Sequence, residues 1–272
     1  MLFASPATAL TRIGSSDYGV SVNLSVANIV KAAVLSSKGV GHTTAPSYNL
    51  ADQVLSLNVA TLLGTNSLGN ASHGLTTGLI TSKASSPYEG LGTATATGTA
   101  NSVVNNLALG LTTTGALGAT IHLLSLGATT LRSTASVSGV NGLSRSGTAN
   151  LTGLTISGLG IVNIDAGLFL NPNPNTVLLD LLGIKITLNE QTSSTVSSKL
   201  MTSTNAMHIL YTNVGVNGGF LNGSIIIGHA QAYIQENSST ATPEPATWVQ
   251  MIFGFGLIGV FARRRALRAA NA

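Results

Sequence analysis

The sequence predicts an all-β body, an antiparallel β-sandwich-like ectodomain, followed by one C-terminal transmembrane helix. Three observations predict it. Apolar and small polar residues alternate with period two in segment after segment. Turn-forming residues interrupt these segments roughly every ten to fifteen positions. A run that is both uncharged and almost wholly apolar, with Thr247 and Gln250 its distinctly polar members, stands at residues 246–262.

The strands follow in order. In Tyr18–Val26, Tyr18, Val20, Val22, Leu24 and Val26 alternate with Gly19, Ser21, Asn23 and Ser25, as a half-buried strand requires. Tyr48 to Leu63 reads as strand, because Leu55, Leu57 and Val59 return to alternation after an ambiguous start. Leu75 to Ser82 follows. Thr93-Ala94-Thr95-Ala96-Thr97 sets β-branched threonines against small alanines, which suits a sheet with one polar face. Val103 to Leu111, Ala119 to Leu126 and Leu131 to Val140 continue the pattern. Ala149 to Ile156 alternates but slips phase at Gly153, the signature of a β-bulge. Gly160 to Ile164 extends it. Asn171-Pro172-Asn173-Pro174-Asn175 is a loop. Val177 to Leu182, Ile184 to Leu188, Met207 to Tyr211 and Ser224 to Ile234 complete the strands, with Asn217-Gly218-Gly219 turning the last pair. A β-solenoid is the alternative architecture. The segments show no fixed period, which favours the sandwich.

The composition narrows function. Charged residues make up 7% of the chain, against about 25% in an average globular protein. The net charge is +4, and Arg263, Arg264, Arg265 and Arg268 carry all of it. Without them eight basic residues face eight acidic ones. A neutral body does not predict nucleic acid as a partner. Without cysteine there is no disulfide frame, thiolate metal site or cysteine nucleophile. Ala7-Thr8-Ala9 is an A-x-A site, so residues 1–9 read as the remnant of a secretory signal whose start lies upstream.

Candidate chemistry is sparse. His42, His73, His122, His208 and His229 form no H-x-H or H-E-x-x-H spacing. His208 and His229 are placed to meet across the last hairpin, with Glu190 the nearest acid for a third ligand. Hydrogen-bonded structural histidines are the expected outcome, and no metal site is assigned. There is no G-x-S-x-G elbow. Asp17, Asp52, Glu89, Asp165, Asp180 and Glu190 are scattered, so no carboxylate pair for glycoside hydrolysis stands out. No catalytic residue and no cofactor are predicted.

The tail is denser. After the ectodomain (10–235) and a flexible tether (236–242) comes Pro243-Glu244-Pro245, then Trp248, then an uncharged run to residue 262, then Arg263, Arg264 and Arg265. At ~1.5 Å per residue, residues 246–262 make a helix of roughly 25 Å, just enough to cross a bilayer core. Trp248 suits one headgroup region, and the arginines act as a cytoplasmic stop at the other end. Gly254, Gly256 and Gly259 read as G-x-G-x-x-G. They lack the surrounding βαβ unit and the later acid of a nucleotide site. In a membrane helix these glycines would allow close helix approach, and Met251 belongs to the same membrane anchor.

This order of residues, from Pro243-Glu244-Pro245 through Trp248, Met251 and the glycine-rich Gly254–Gly259 run to the arginine cluster, resembles the PEP-CTERM sorting signal of Gram-negative bacteria. The resemblance assigns residues 243–268 to the signal. It implies recognition by an exosortase, an integral-membrane cysteine transpeptidase that processes the tail near Pro243 to Pro245. It also implies an exopolysaccharide-making cell and a surface destination. The body has its own likeness. Tyr18-Gly-Val-Ser-Val-Asn-Leu24, Thr44-Ala-Pro-Ser-Tyr-Asn-Leu50, Thr187-Leu-Asn-Glu-Gln191, Asn205-Ala-Met-His-Ile209 and Ile226-Ile-Gly-His-Ala-Gln231 resemble blocks of the choice-of-anchor P family of bacterial surface proteins. The cysteine usual in that family's middle region is absent here. The combined expectation is a non-catalytic exported surface or matrix protein, held transiently in the inner membrane by one helix and linked to exopolysaccharide or biofilm. A secreted hydrolase or a carbohydrate-binding module with an unrecognised site is the alternative.

Overall fold

The computed structural model describes residues 11–26, 29–35, 39–43, 47–66, 69–87, 96–115, 117–139, 143–158, 161–165, 169–196, 199–216, 219–236, 252–260 and 263. Thr11–Glu236 is one compact unit, and the C-terminal helix belongs to a second.

The body is two antiparallel sheets packed face to face. Sheet A orders as β13 (Thr176–Leu181), β14 (Ile184–Val196), β15 (Lys199–Val216), β16 (Gly219–Glu236), β1 (Thr11–Val26) and β2 (Ile29–Leu35), with β3 (Gly39–Thr43) also on β1. Sheet B orders as β12 (Ile161–Asp165), β11 (Thr155–Gly158), β9 (Thr120–Ser138), β8 (Thr97–Gly115), β6 (Gly69–Thr77) and β5 (Leu57–Asn66). Off that path β10 (Ser144–Thr152) pairs β9, and β7 (Ile80–Ser86) joins β4 (Tyr48–Val54) to β8. Across the interior β15 packs on β9 and β10, β16 on β8 and β9, and β1 on β7 and β8. Every pairing is antiparallel. This is the sandwich, not the solenoid.

Strand boundaries depart from the alternation in two ways. Some strands run on, as β14 does through Asn189 to Val196, where the polar composition of 189–198 reads as a loop. Others divide or merge. Tyr48–Leu63 divides at Leu55-Ser56, and Leu75–Ser82 divides at Gly78-Leu79. Ala119–Leu126 and Leu131–Val140 instead merge into β9. The cause is a pleat reversal that crosses each sheet in a line. In sheet A, Asn189, Ala206, Gly228 and Gly19 sit opposite one another between continuing registers. In each strand two consecutive residues are buried there: Leu188-Asn189, Ala206-Met207, Ile227-Gly228 and Gly19-Val20. In sheet B the line runs through Gly78, Asn106, Thr129 and Gly153. Asn189 (φ 49°), Gly228 (φ 63°), Asn106 (φ 49°) and Gly153 (φ 61°) adopt the left-handed conformation that reverses the side-chain phase. Asn and Gly are the residues that tolerate it. The slip read at Gly153 in the sequence is one point on this line.

The line in sheet A divides the interior. On one side Val22, Leu24, Ile186, Leu188, Ile209 and Ile225 build a core of large side chains with Leu111, Leu124 and Leu131 of sheet B. On the other side a small core of Ala96, Ala100, Ala135, Ala230 and Ala232 is closed by Ile13, Val137 and Ile234. Between them is a buried polar belt. The inner rung Thr204–Ala230–Asp17 of sheet A faces the inner rung Ala149–Ser133–Ser102–Ser82 of sheet B. Ser102 Oγ donates to the Tyr18 carbonyl (2.9 Å), and the Lys83 amide donates to Asp17 Oδ2 (2.7 Å). Among the described residues Asp17 Oδ1, Ser133 Oγ and Thr204 Oγ1 are buried without a partner. Burial therefore pushes the Asp17 carboxyl up to about 7, against the bonds from Lys83 and Ser82.

The residues 1–9, Thr93 to Thr95, the tether from 237 to 242, Pro243, Glu244, Pro245, Trp248, Met251, Arg264 and Arg265 lie outside the described residues. Residues 252–260 form a helix inside the expected span 246–262, with Gly254, Gly256 and Gly259 on it, and Arg263 is helical and exposed. At ~1.5 Å per residue, helix 252–260 reaches roughly 14 Å. Among the described residues no helix is long and apolar enough to cross a membrane.

Candidate functional site

The densest polar constellation lies on the outer face of sheet A, just beside its pleat reversal. Glu190, Asn205, His229 and Tyr18 occupy one rung across β14, β15, β16 and β1. Asn205 Nδ2 donates to Glu190 Oε2 (2.6 Å), and His229 Nδ1 donates to Asn205 Oδ1 (2.6 Å). Tyr18 stacks on the His229 ring, with centroids 4.4 Å apart and planes 16° apart. His208, three residues beyond Asn205, reaches back to donate from Nδ1 to Glu190 Oε1 (2.9 Å).

The sequence sets His208 and His229 to meet across the last hairpin and offers Glu190 as the nearest acid without fixing its position, and the structure brings Glu190 beside them. It joins them differently from a metal trio. His208 pairs with Ile226 and His229 with Asn205, so the two imidazoles are not directly opposite. Asn205 stands between His229 and Glu190. Asn205 and Tyr18 were missed for a physical reason. Asn205 and His208 are three apart, which simple alternation sends to opposite faces. The reversal at Ala206 returns both to the outer face.

The electrostatics follow the bonds. The His208 hydrogen bond holds Glu190 below its usual range, helped by Asn205 and opposed by partial burial. Burial lowers His229 to about 4, against the pull of Glu190. Burial and then the Glu190 charge raise Tyr18 to about 12. At neutral pH the rung is therefore an ionised carboxylate fed by two donors, beside a neutral imidazole and a neutral phenol.

The other histidines lie elsewhere. His42 is on β3 opposite Gly14. His122 is exposed at the start of β9. His73 is buried on β6, meets Tyr211 edge-on at 6.2 Å, and has no partner for either ring nitrogen among the described residues. Burial lowers it to about 4. Among the described residues no three His, Cys, Asp or Glu side chains are grouped to hold a metal ion.

Around the rung and across sheet B the outer faces carry hydroxyls and amides. Thr192–Ser203 (2.6 Å), Ser136–Ser146 (2.7 Å), Ser72–Thr112 (2.8 Å) and Thr114–Thr120 (3.1 Å) are cross-strand hydroxyl pairs.

No curated protein and no solved structure matches the chain. Residues 241–265 match the family model of the PEP-CTERM protein-sorting motif. The match covers the tail and not the body, where the likeness to the choice-of-anchor P family rests on the short blocks alone. The motif contains Pro243, Glu244, Pro245, Trp248, the three helix glycines and the arginine cluster. It implies an exported protein that an exosortase sorts toward the cell surface.

Proposed function

We propose that this protein is a non-catalytic component of the cell surface or extracellular matrix that engages exopolysaccharide through the outer faces of its sandwich. One observation carries the reading. A tail that matches a surface-sorting motif is joined to a body whose outer faces present paired hydroxyls and amides, with few charges. Such groups exchange hydrogen bonds with sugar hydroxyls at little desolvation cost compared with ions. In this reading residues 246–262 hold the chain transiently in the inner membrane while the exosortase reads Pro243 to Pro245. Residues 263–265 stay cytoplasmic. The resemblance of the body blocks to the choice-of-anchor P family agrees with a surface role.

The test uses the full-length protein, solubilised in detergent, and polymer extracted from the producing cells. Co-sedimentation of protein with polymer, without release of reducing ends, is expected. Failure to co-sediment contradicts the binding role. Release of reducing ends contradicts the non-catalytic one and points to a hydrolase, for which the Glu190–His208 pair would be the first group to mutate.

A further inference from the structure

The outer face of sheet B contains a cavity of about 490 Å3, lined by Arg132, Thr134, Thr148, Ala149, Asn150 and Asn171. That size is within the usual range for small-ligand sites. Its floor is two neighbouring strands: Arg132 on β9 lies opposite Asn150 on β10, and Thr134 opposite Thr148. Its wall is the loop bearing Asn171-Pro172-Asn173-Pro174-Asn175.

The wall is held from several sides. The Leu151 amide donates to the Leu170 carbonyl (3.0 Å), so the start of the loop lies along β10. Asn150 Nδ2 donates to Asn171 Oδ1 (2.8 Å). Buried Asn189 Nδ2 donates to the Pro172 carbonyl (2.7 Å), and Asn175 Oδ1 accepts from the Gln191 amide (2.9 Å). The prolines fix their own φ. A site with a pinned wall loses little entropy when it binds.

Arg132 is the charged member of the lining. The Asn101 amide, oriented with its oxygen toward the guanidinium, accepts from Nε (2.8 Å) and Nη2 (3.0 Å). That neutral partner orients the fork without cancelling its charge. Among the described residues the one ion pair is His208–Glu190, so no carboxylate there neutralises Arg132. Two of the five guanidinium donors are used, and the remaining edge keeps donors for a ligand.

We propose that this cavity binds a sugar residue bearing a carboxylate, a uronate unit of an acidic polysaccharide. The planar carboxylate matches the guanidinium fork and carries the single charge that one arginine can balance. A phosphate monoester carries about −1.5 to −2 at neutral pH, more than one arginine balances. Thr134, Thr148 and the Asn150–Asn171 pair meet the ring hydroxyls. The proposal rests on the exopolysaccharide reading and gives it a polymer class and a site.

The experiment titrates the full-length protein in detergent with an oligogalacturonate and with the same oligomer after reduction of its carboxyls to alcohols. The wild type is expected to bind the acidic oligomer about tenfold more tightly or better, because a charge-assisted bond is worth more than a neutral one. Arg132→Gln should lose that preference and Arg132→Lys should keep part of it. Lys83→Gln removes the same charge from the same face outside the cavity, and should change affinity less than about twofold. Equal affinity for the two oligomers, no binding of the acidic one, or full retention in Arg132→Gln overturns the proposal. Extracted polymer serves as a separate arm. If wild type and Arg132→Gln bind it equally, the uronate site is wrong and the surface role stands. If the wild type does not bind it, the polysaccharide-binding role itself is wrong.

Discussion

Residues 241–265 match a sorting motif as a contiguous string, whereas in Thr11–Glu236 the first strand pairs with the last, from Thr11↔Glu236 to Val26↔Leu221. The difference follows from what reads each region. A processing enzyme recognises local residue types in a short extended segment, so the information must lie along the chain. The body has no local reader for its fold. Its first strand finds its partner at the far end of the body, and its polar rungs exist once four strands are in register. If this contrast is right, body substitutions change stability and leave processing of the tail alone, and tail substitutions do the reverse.

The largest effect is expected in the large-side-chain half of the core. Leu131 is fully buried there. Leu131→Ala should cost about 2–5 kcal/mol, the range for a buried leucine whose surroundings only partly close. At about 2–4 °C per kcal/mol for a domain of this size, the melting temperature should fall by roughly 4–20 °C. Circular dichroism against temperature measures it. Tail processing well below the transition should match wild type.

A smaller loss is expected at the polar belt, where the sheets touch through small residues. A Cβ on Gly147 would overlap Thr204 Oγ1 and lie 3.1 Å from Gln191 Cδ. Gly147→Ala should destabilise by about 1–3 kcal/mol, as overpacking does. Adding Thr204→Ala removes the obstructing, unpartnered oxygen and should recover part of the loss. A double variant less stable than Gly147→Ala would contradict the geometry.

The smallest expected change is a gain, and it depends on pH. Asp17 titrates near 7 in the folded protein and near 3.8 when unfolded. Between those values the folded state holds the proton and the unfolded state does not. The Asp17 contribution therefore falls as pH rises from about 4 to about 7, then levels off. His73 and His229, lowered to about 4 by burial, work in the opposite sense. Their contribution is full above about 6.5 and is lost as pH falls toward 4. Asp17→Asn keeps an acceptor for the Lys83 amide and removes the titration. It should match wild type near pH 4 and exceed it near pH 8, by less than the losses expected in the core and at the belt. Equal stability at both pH values would show that the carboxylate is not penalised in the belt.

Much of the fold was legible because alternation is a local property. Val20 to Leu24 shows its buried face directly, although the reversal at Gly19 sends Tyr18, which alternation groups with Val20, to the outer face, and the Asn-Pro loop announces itself. The reversals were not legible. An asparagine inside a strand, such as Asn106 or Asn189, looks like any other outward polar residue until its positive φ puts it opposite three others. The candidate site fell between these cases. The two histidines were visible as a pair and Glu190 as the nearest acid of unknown position, whereas Asn205 and Tyr18 join them through register and through the slips at Ala206 and Gly19. The cavity at Arg132 was illegible, since its floor comes from β9 and β10 and its wall from a loop some twenty residues later.

The contrast between tail and body is tested most directly by following maturation of the full-length chain in a host carrying an exosortase, comparing wild type with Glu244→Ala and with Pro243→Ala/Pro245→Ala. The prolines should keep the triplet extended, and Glu244 supplies a charge that an enzyme pocket can read. The account predicts that both variants insert normally and are processed more slowly, with the melting temperature of the body unchanged. Maturation of both at the wild-type rate would reduce the triplet to a spacer and contradict the sorting assignment at its central residues.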